Sequence, residues 1–454
     1  MNPDIWNVVT FGLIAVMVAA LMLFAMVHFE LGPNARLVSY RRWLLAAALG
    51  SGVLAFMFKL GIIYTVANYP QLLIASSDNS DEISIHRAPA ESPGTANYRF
   101  VSLDNQTPHT DTSLTGSQNY VWQALPQQPS APASNPTTPA KVMLGEKLFS
   151  DKNLSRDRTL SCASCHDVNG RAGTDGRSTS LGIDGQTGKR NAPTVWNAAF
   201  QAVLFWDGRA PSLEEQARGP LINPIEMGMP SLQAVEQRVQ SNADYSAQFD
   251  KAFGVNTTIT IERIVEAIAA YERTLITPDT PYDRFVRGDR DALTAAQLRG
   301  MALFQSAGCI NCHFGPNFSA ASVFDRRMPL RIFPVNPTPY EERYNLVKDK
   351  GISANGRGVW RVPSLRNVAL TGPWFHNGSV KKLDEAVRVM ASAQLGRSGH
   401  FLTWSDRDKV LTEINRPALS DLQVQDIVAF LQALSSDRLR EKTTKLSPTI
   451  TASR

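Results

Sequence analysis

The chain spends all four of its cysteines on two copies of one pattern, Cys162-Ala-Ser-Cys165-His166 and Cys309-Ile-Asn-Cys312-His313. In C-x-x-C-H the two sulfurs add to the vinyl groups of a haem, and the adjacent histidine becomes its proximal iron ligand. A zinc site or a thioredoxin-like pair also uses cysteines at this spacing, but neither accounts for a histidine after each second cysteine. Two covalently bound haems c are therefore expected. Cys162, Cys165, Cys309 and Cys312 are the attachment points; His166 and His313 are the proximal axial ligands. With every cysteine so used, a disulfide-stapled fold is excluded.

The two motifs sit in an internal repeat: Gly145-Glu-Lys-Leu148-Phe149 precedes the first and Gly300-Met-Ala-Leu303-Phe304 the second. Thr294 with Gln297 forms a capping box at the start of the latter helix, and Ser420 with Gln423 does the same for a late helix carrying Val424, Ile427, Val428, Leu431 and Leu434. Ile261, Ile264, Val265, Ile268 and Leu275 mark a further amphipathic helix. Strand signals are scarce. The expected fold is mainly α, with two cytochrome c-type haem domains at 141–285 and 286–440 and a tail at 441–454.

Upstream, Ile5 to Phe29 carries no Asp, Glu, Lys or Arg, long enough to span a bilayer as helix. A second apolar run, Trp43 to Val66, is broken only by Lys59. The loop between them holds Arg36, Arg41 and Arg42, which places it in the cytoplasm by the positive-inside rule. Residues 1–70 are thus expected to form a two-helix transmembrane hairpin. The rest would lie on the far side, where covalent haem attachment takes place. Residues 71–140, rich in Pro, Ser and Thr, read as an extended linker with Trp122 as one residue able to dock. The net charge of +5 is spread without a Lys/Arg block, which argues against a nucleic-acid partner.

Beyond the haem motifs, several segments carry a resemblance: Arg190-Asn-Ala-Pro-Thr194, Phe205-Trp-Asp-Gly-Arg-Ala210, Gln216 leading to Gly219-Pro220, Asn223-Pro-Ile-Glu-Met227, and Pro363-Ser-Leu-Arg-Asn-Val-Ala369 running to Trp374-Phe-His-Asn-Gly378. Over roughly residues 140–437 the chain resembles the bacterial dihaem cytochrome c peroxidases, as a membrane-anchored member. The resemblance implies an enzyme that reduces hydrogen peroxide to water. Its electrons would come from a small cytochrome c or cupredoxin and pass through the C-terminal haem to the N-terminal one.

The family's methionine ligand follows F-H-x-G by fourteen residues; here His376 leads to Met390, implying His313/Met390 ligation of the second haem. A strong axial pair suits electron transfer, and methionine raises the potential. Glu226 falls at the catalytic glutamate, Gln216 at the amide that orients peroxide, and Trp206 at the tryptophan between the haems. One carboxylate within reach of both peroxide oxygens serves as base and then as acid. The resemblance further implies Ca2+ at Asn191, Thr371 and Pro373, oxygen donors suited to that ion. Family members often form a homodimer, and the hairpin topology together with covalent haem attachment implies the bacterial inner membrane with the catalytic domains in the periplasm.

One departure stands out. Ile183 occupies the place where many members carry a reversible distal histidine, and no histidine lies between His166 and His313. The first haem is therefore expected to be open even when fully oxidised. Two other readings stay in play: a dihaem oxidase that modifies a partner protein, and a membrane electron-transfer subunit. Met390 speaks against the first, since the methylamine-dehydrogenase-maturing oxidase uses tyrosine there. Glu226 and Gln216 in register with Trp206 speak against the second.

Overall fold

The structure is a computed structural model that describes residues 120–325, 328–352, 358–405 and 410–445, with a short strand at Arg99–Val101. These residues belong to one unit, Gly94–Arg454. The two expected membrane spans and most of the linker lie outside the described residues. Among the described residues, no helix is long and apolar enough to cross a membrane.

The described chain is mainly helical, and its two halves repeat one scheme. In the first half the helix Pro139–Ser150, capped by Thr138 with proline at its start, packs across the helix Ile261–Glu272. In the second half the helix Ala295–Ala307 packs in the same way across Asp421–Ala433. The glycines of the sequence repeat explain the closeness. A Cβ on Gly145 would collide with the Ala267 carbonyl and the Tyr271 side chain; one on Gly300 would collide with the Asp426 carbonyl and the Phe430 side chain. Both capping boxes expected from sequence are present, Thr294 with Gln297 and Ser420 with Gln423. Ile261, Ile264, Val265, Ile268 and Leu275 are all buried in the first core, and Ile427, Leu431 and Leu434 in the second; Val424 is buried as well, and Val428 only partly.

The repeat extends to the irregular segments. Asn197 and Asn367 both adopt the left-handed conformation, at φ 62° and 60°. Each donates its backbone N–H to the leucine after the packed helix: Asn197 to the Leu275 carbonyl and Asn367 to that of Leu434. Their side-chain amides converge on one hydroxyl, Thr277 Oγ1, at 2.8 and 3.0 Å. The two halves of the repeat therefore share this hydroxyl as a hydrogen-bond acceptor.

The described strands form three two-stranded pairs: Arg99–Val101 parallel to Val121–Gln123, and Leu330–Ile332 and Gly399–Ser405 antiparallel to Val359–Arg361 and Val410–Arg416. Within the stretch expected as linker, residues from Tyr120 onward are built into the second core. Trp122 is fully buried against the rings of Tyr282, Phe318 and Phe430. The Tyr120 hydroxyl accepts the Gly315 N–H, and the Leu125 N–H donates to Asp283. Apolar residues so thinly spread among prolines give no periodic signal, which is why composition reads this strip as linker.

Asp283 does more than hold this strip. Its carboxylate accepts from Arg366 Nη1 at 2.7 Å, and both side chains are completely buried. Arg366 also donates to the Pro316 carbonyl, and Thr280 donates to Asp283. Removing one partner strands a charge in apolar surroundings, so Asp283→Ala is expected to cost about 3–5 kcal/mol, read as a lowered denaturant midpoint. Replacement of both Arg366 and Asp283 by apolar residues of similar volume is expected to cost less than the single change.

Candidate active site

Both C-x-x-C-H motifs open onto one cavity of about 1360 Å³, larger than the 300–1,000 Å³ typical of a single small-ligand site. Cys162, Cys165 and His166 line it on one side, Cys309, Cys312 and His313 on another. Glu226, Gln216, Trp206, Met390, Asn191, Thr371 and Pro373 line it too. Every site residue chosen from the sequence thus borders the same space.

The motifs, an α-helical turn at Cys162–Cys165 and a 3-10 turn at Cys309–Asn311, share two hydrogen-bond contacts. His166 donates its backbone N–H to Cys162 O and His313 to Cys309 O, each at 2.9 Å. The Nδ1 atoms lie 3.2 Å from Gly173 O and 3.1 Å from Phe318 O. A carbonyl can only accept, so Nδ1 carries the proton and Nε2 is left unprotonated, the form that binds a metal. Burial lowers both imidazole pKa values, that of His313 to about 4, which keeps the rings neutral. Burial also pushes the thiols of Cys162 and Cys309 up to about 12, so neither is a thiolate poised for redox exchange. Among the described residues no three His, Cys, Asp or Glu side chains gather as a zinc ligand set would require.

The cavity also fits haem by what it leaves unpaired. Gln201 Nε2, Trp196 Nε1, Trp360 Nε1 and His376 Nε2 are buried donors or acceptors with no hydrogen-bond partner in the structure, and all four residues line the cavity. Arg361 is a buried cation there, held by Phe205 O and Gln201 Oε1, its pKa pulled to about 10 by burial. Buried groups of this kind call for polar partners, and haem propionates supply them.

On the side of the first motif, Glu226 sits in the turn after the helix Leu213–Ile222. Its Oε1 accepts from Asn223 Nδ2 at 2.9 Å. Burial raises its pKa, with Arg209 pulling the other way. Gln216, on the preceding helix, lines the same wall. Ile183 takes no part: it is fully buried, packs over Gly228, and does not line the cavity. Its loop is clamped to the carboxylate segment by the Ile183 N–H to Glu226 O bond of 3.0 Å. The histidines lining the cavity are His166, His313 and His376.

Trp206 lines the same cavity. Its Nε1 donates to Asn191 O at 2.8 Å, and its ring lies edge-on to His376 with centroids 6.4 Å apart. His376 stacks on Trp360 at 4.1 Å. Arg190 ties Asp207 to Asp349 at 2.7 and 2.6 Å, locking the 349 loop against this centre. Met390, half-buried, begins a π-helical turn, Met390–Gln394, an irregularity often found at functional positions.

Aligning the halves exposes a residue that motif reading alone passes over. Pro220 and Met390 each lie seven positions after the first residue of matching helices, which begin at Leu213 and Leu383. Both line the cavity. Where the second half offers a thioether, the first offers a ring with no donor atom. The signal was in the sequence, as L-E-E-Q-x-x-x-P set against L-D-E-A-x-x-x-M, once the repeat was carried past the haem motifs.

The family model described as di-haem cytochrome c peroxidase matches residues 139–291. Cytochrome c551 peroxidase of Pseudomonas aeruginosa is 38% identical over 322 residues, covering 70% of this chain and 86% of that relative. The chain belongs to the dihaem cytochrome c peroxidase family. It is an enzyme of that kind, with one attachment motif for each of the family's two haems. Methylamine utilization protein MauG of Methylophilus methylotrophus is 32% identical over 325 residues, covering 69% of this chain and 88% of the relative. Among solved structures, a MauG-like protein associated with microbial copper homeostasis shares the fold with a TM-score of 0.56 and 30% identity. It covers 69% of this chain and 97% of its own. The family so defined includes peroxidases and MauG-like oxidases.

Proposed function

We propose that the enzyme reduces hydrogen peroxide to water at the first haem, with electrons from a small cytochrome c or cupredoxin entering through the second. The observation that carries this reading is the wall facing the first motif: a buried carboxyl, Glu226, beside the Gln216 amide and the donor-free Pro220. Peroxide must lose a proton from one oxygen and gain one on the other. A desolvated glutamate within one cavity is suited to both transfers, because its raised pKa lies closer to working pH. When bound, the first haem would supply the iron at which peroxide is reduced and one of the two electrons needed, the second haem the other. The protein supplies orientation through Gln216, the proton through Glu226 and an aromatic path through Trp206.

Met390, at the cavity beside His313's side, is the proposed second axial ligand of the electron-transfer haem. Asn191, Thr371 and Pro373 line the cavity close in sequence to the residues that hold Trp206 and His376, and oxygen donors there suit Ca2+. The apolar segments at 5–66 would anchor the enzyme in the bacterial inner membrane with its catalytic domains in the periplasm, as a homodimer. The tether would raise its effective concentration near membrane-bound donors. The alternative of an oxidase acting on a partner protein draws on the likeness to MauG; Met390 weighs against it.

The deciding experiment is peroxide-dependent oxidation of a reduced cytochrome c by enzyme kept fully oxidised until mixing and by enzyme pre-reduced by one electron. Equal rates without a lag are expected, because neither Ile183 nor Pro220 offers the first iron a ligand. A lag removed by pre-reduction would show a distal ligand that the cavity wall does not contain. No turnover in either sample would favour the partner-modifying oxidase.

A further inference from the structure

The glycine crossings fix the register of the two halves: Gly145 meets Ala267 and Tyr271, and Gly300 meets Asp426 and Phe430. Ala267 thus corresponds to Asp426, Tyr271 to Phe430, and the next residue, Glu272, to Leu431. Glu272 and Leu431 both line the cavity. At one place, then, the second half presents a hydrocarbon and the first a carboxyl group.

That carboxyl is costly to keep. Glu272 is 4% exposed, and its Oε2 has no hydrogen-bond partner in the structure. An unpaired buried polar atom carries a desolvation penalty that leucine would avoid. Burial pushes its pKa up to about 8, Arg273 opposing and Glu214 adding to the rise. Its field reaches the thiol of Cys162, a haem attachment point, as does that of Glu226. The titratable and charged groups around it are Tyr271 and Arg273 on its own helix, Glu214 on the helix Leu213–Ile222, and Cys162, whose sulfur no longer titrates once it is a thioether.

A polar chain begins at the next residue, Arg273, whose charge acts on Glu272. Arg273 pairs with Glu214, which accepts from Asn135 at 2.7 Å; Asn135 in turn accepts from Lys141 at 2.8 Å. Lys141 lies 3.9 Å from Glu266, which is partly exposed. These groups lead from the buried Arg273 to the partly exposed Glu266. At the matching place beside Leu431 the second half has Gln432, an exposed residue.

We propose that Glu272 is the redox-linked proton acceptor of the first haem. When a one-electron donor reduces that iron, the Glu272 carboxylate takes one proton from solvent and forms its O–H bond. When the iron gives the electron up, the O–H bond breaks and the proton returns. One electron and one proton move together, so the buried site keeps its net charge, which a low-dielectric interior favours. The proposal rests on haem at Cys162 and Cys165 but not on peroxide as substrate.

The test is spectroelectrochemical titration of the holoenzyme, without peroxide, at a series of pH values from 6 to 10. The potential of the first haem is expected to fall as pH rises in the wild type and to lose that slope in Glu272→Gln. Glu226→Gln should keep it. A wild-type potential independent of pH, or a slope that survives in Glu272→Gln, would overturn the proposal. Glu272→Leu, the side chain the second half carries at this place, guards against misfolding: it should bind both haems and show the same flat response. A slope persisting in Glu272→Leu would be equally fatal. Because no step uses peroxide, this outcome is independent of whether the enzyme turns peroxide over.

Discussion

Glu226→Gln is expected to lower peroxide turnover by about 10²–10⁴-fold, the usual contribution of a positioned acid–base group, with both haem spectra unchanged. Glutamine keeps the volume and can still face Asn223, whose Nδ2 now bonds Glu226 Oε1. What it cannot do is take a proton from peroxide. The pH profile provides a second check. Burial raises the Glu226 pKa, and the base form is needed to begin the reaction. Wild-type rate should therefore be lost as pH falls through that raised value, above the ordinary glutamate range, and Glu226→Gln should lack this acid limb. Stopped-flow oxidation of reduced cytochrome c measures both. An unchanged rate would remove Glu226 from the chemistry and favour an electron carrier.

Pro220→Met is expected to close the first haem. The substitution gives the first half the residue that the second half holds at the same helical position, Met390. It also removes a proline from within the helix Leu213–Ile222, so the helix itself should tolerate the change. A thioether there would convert the first iron to a low-spin, six-coordinate form visible by electron paramagnetic resonance. If 99 of 100 molecules are so closed, apparent peroxide affinity falls about 100-fold. Retention of the high-spin signal would show that Pro220 does not face the iron, and the open-site reading would lose its main support.

Much of this site was legible because covalent chemistry writes itself into adjacent residues. C-x-x-C-H binds one ligand within one turn of chain, so Cys162, Cys165 and His166 needed no tertiary information. The capping boxes at Thr294 and Ser420 are likewise local, each spanning four residues. Glu226, Gln216 and Met390 were reachable only through the resemblance, since a glutamate in N-P-I-E-M or a methionine on a helix is by itself an ordinary surface or core residue. Trp122 was less visible, because a lone aromatic among prolines has no period to reveal its burial.

The sequence by itself determined that the chain carries two haem-attachment units and that a short repeated segment, Gly145–Phe149 and Gly300–Phe304, precedes each. Local spacing is enough for each of these. Only the tertiary structure decided that both units share one cavity, that Asn197 and Asn367 join the halves at Thr277, and that Glu272 stands unpaired where Leu431 stands in the other half. These depend on contacts between residues tens to hundreds of positions apart, made where glycines let two helices approach, and burial is a property of such contacts rather than of any local spacing.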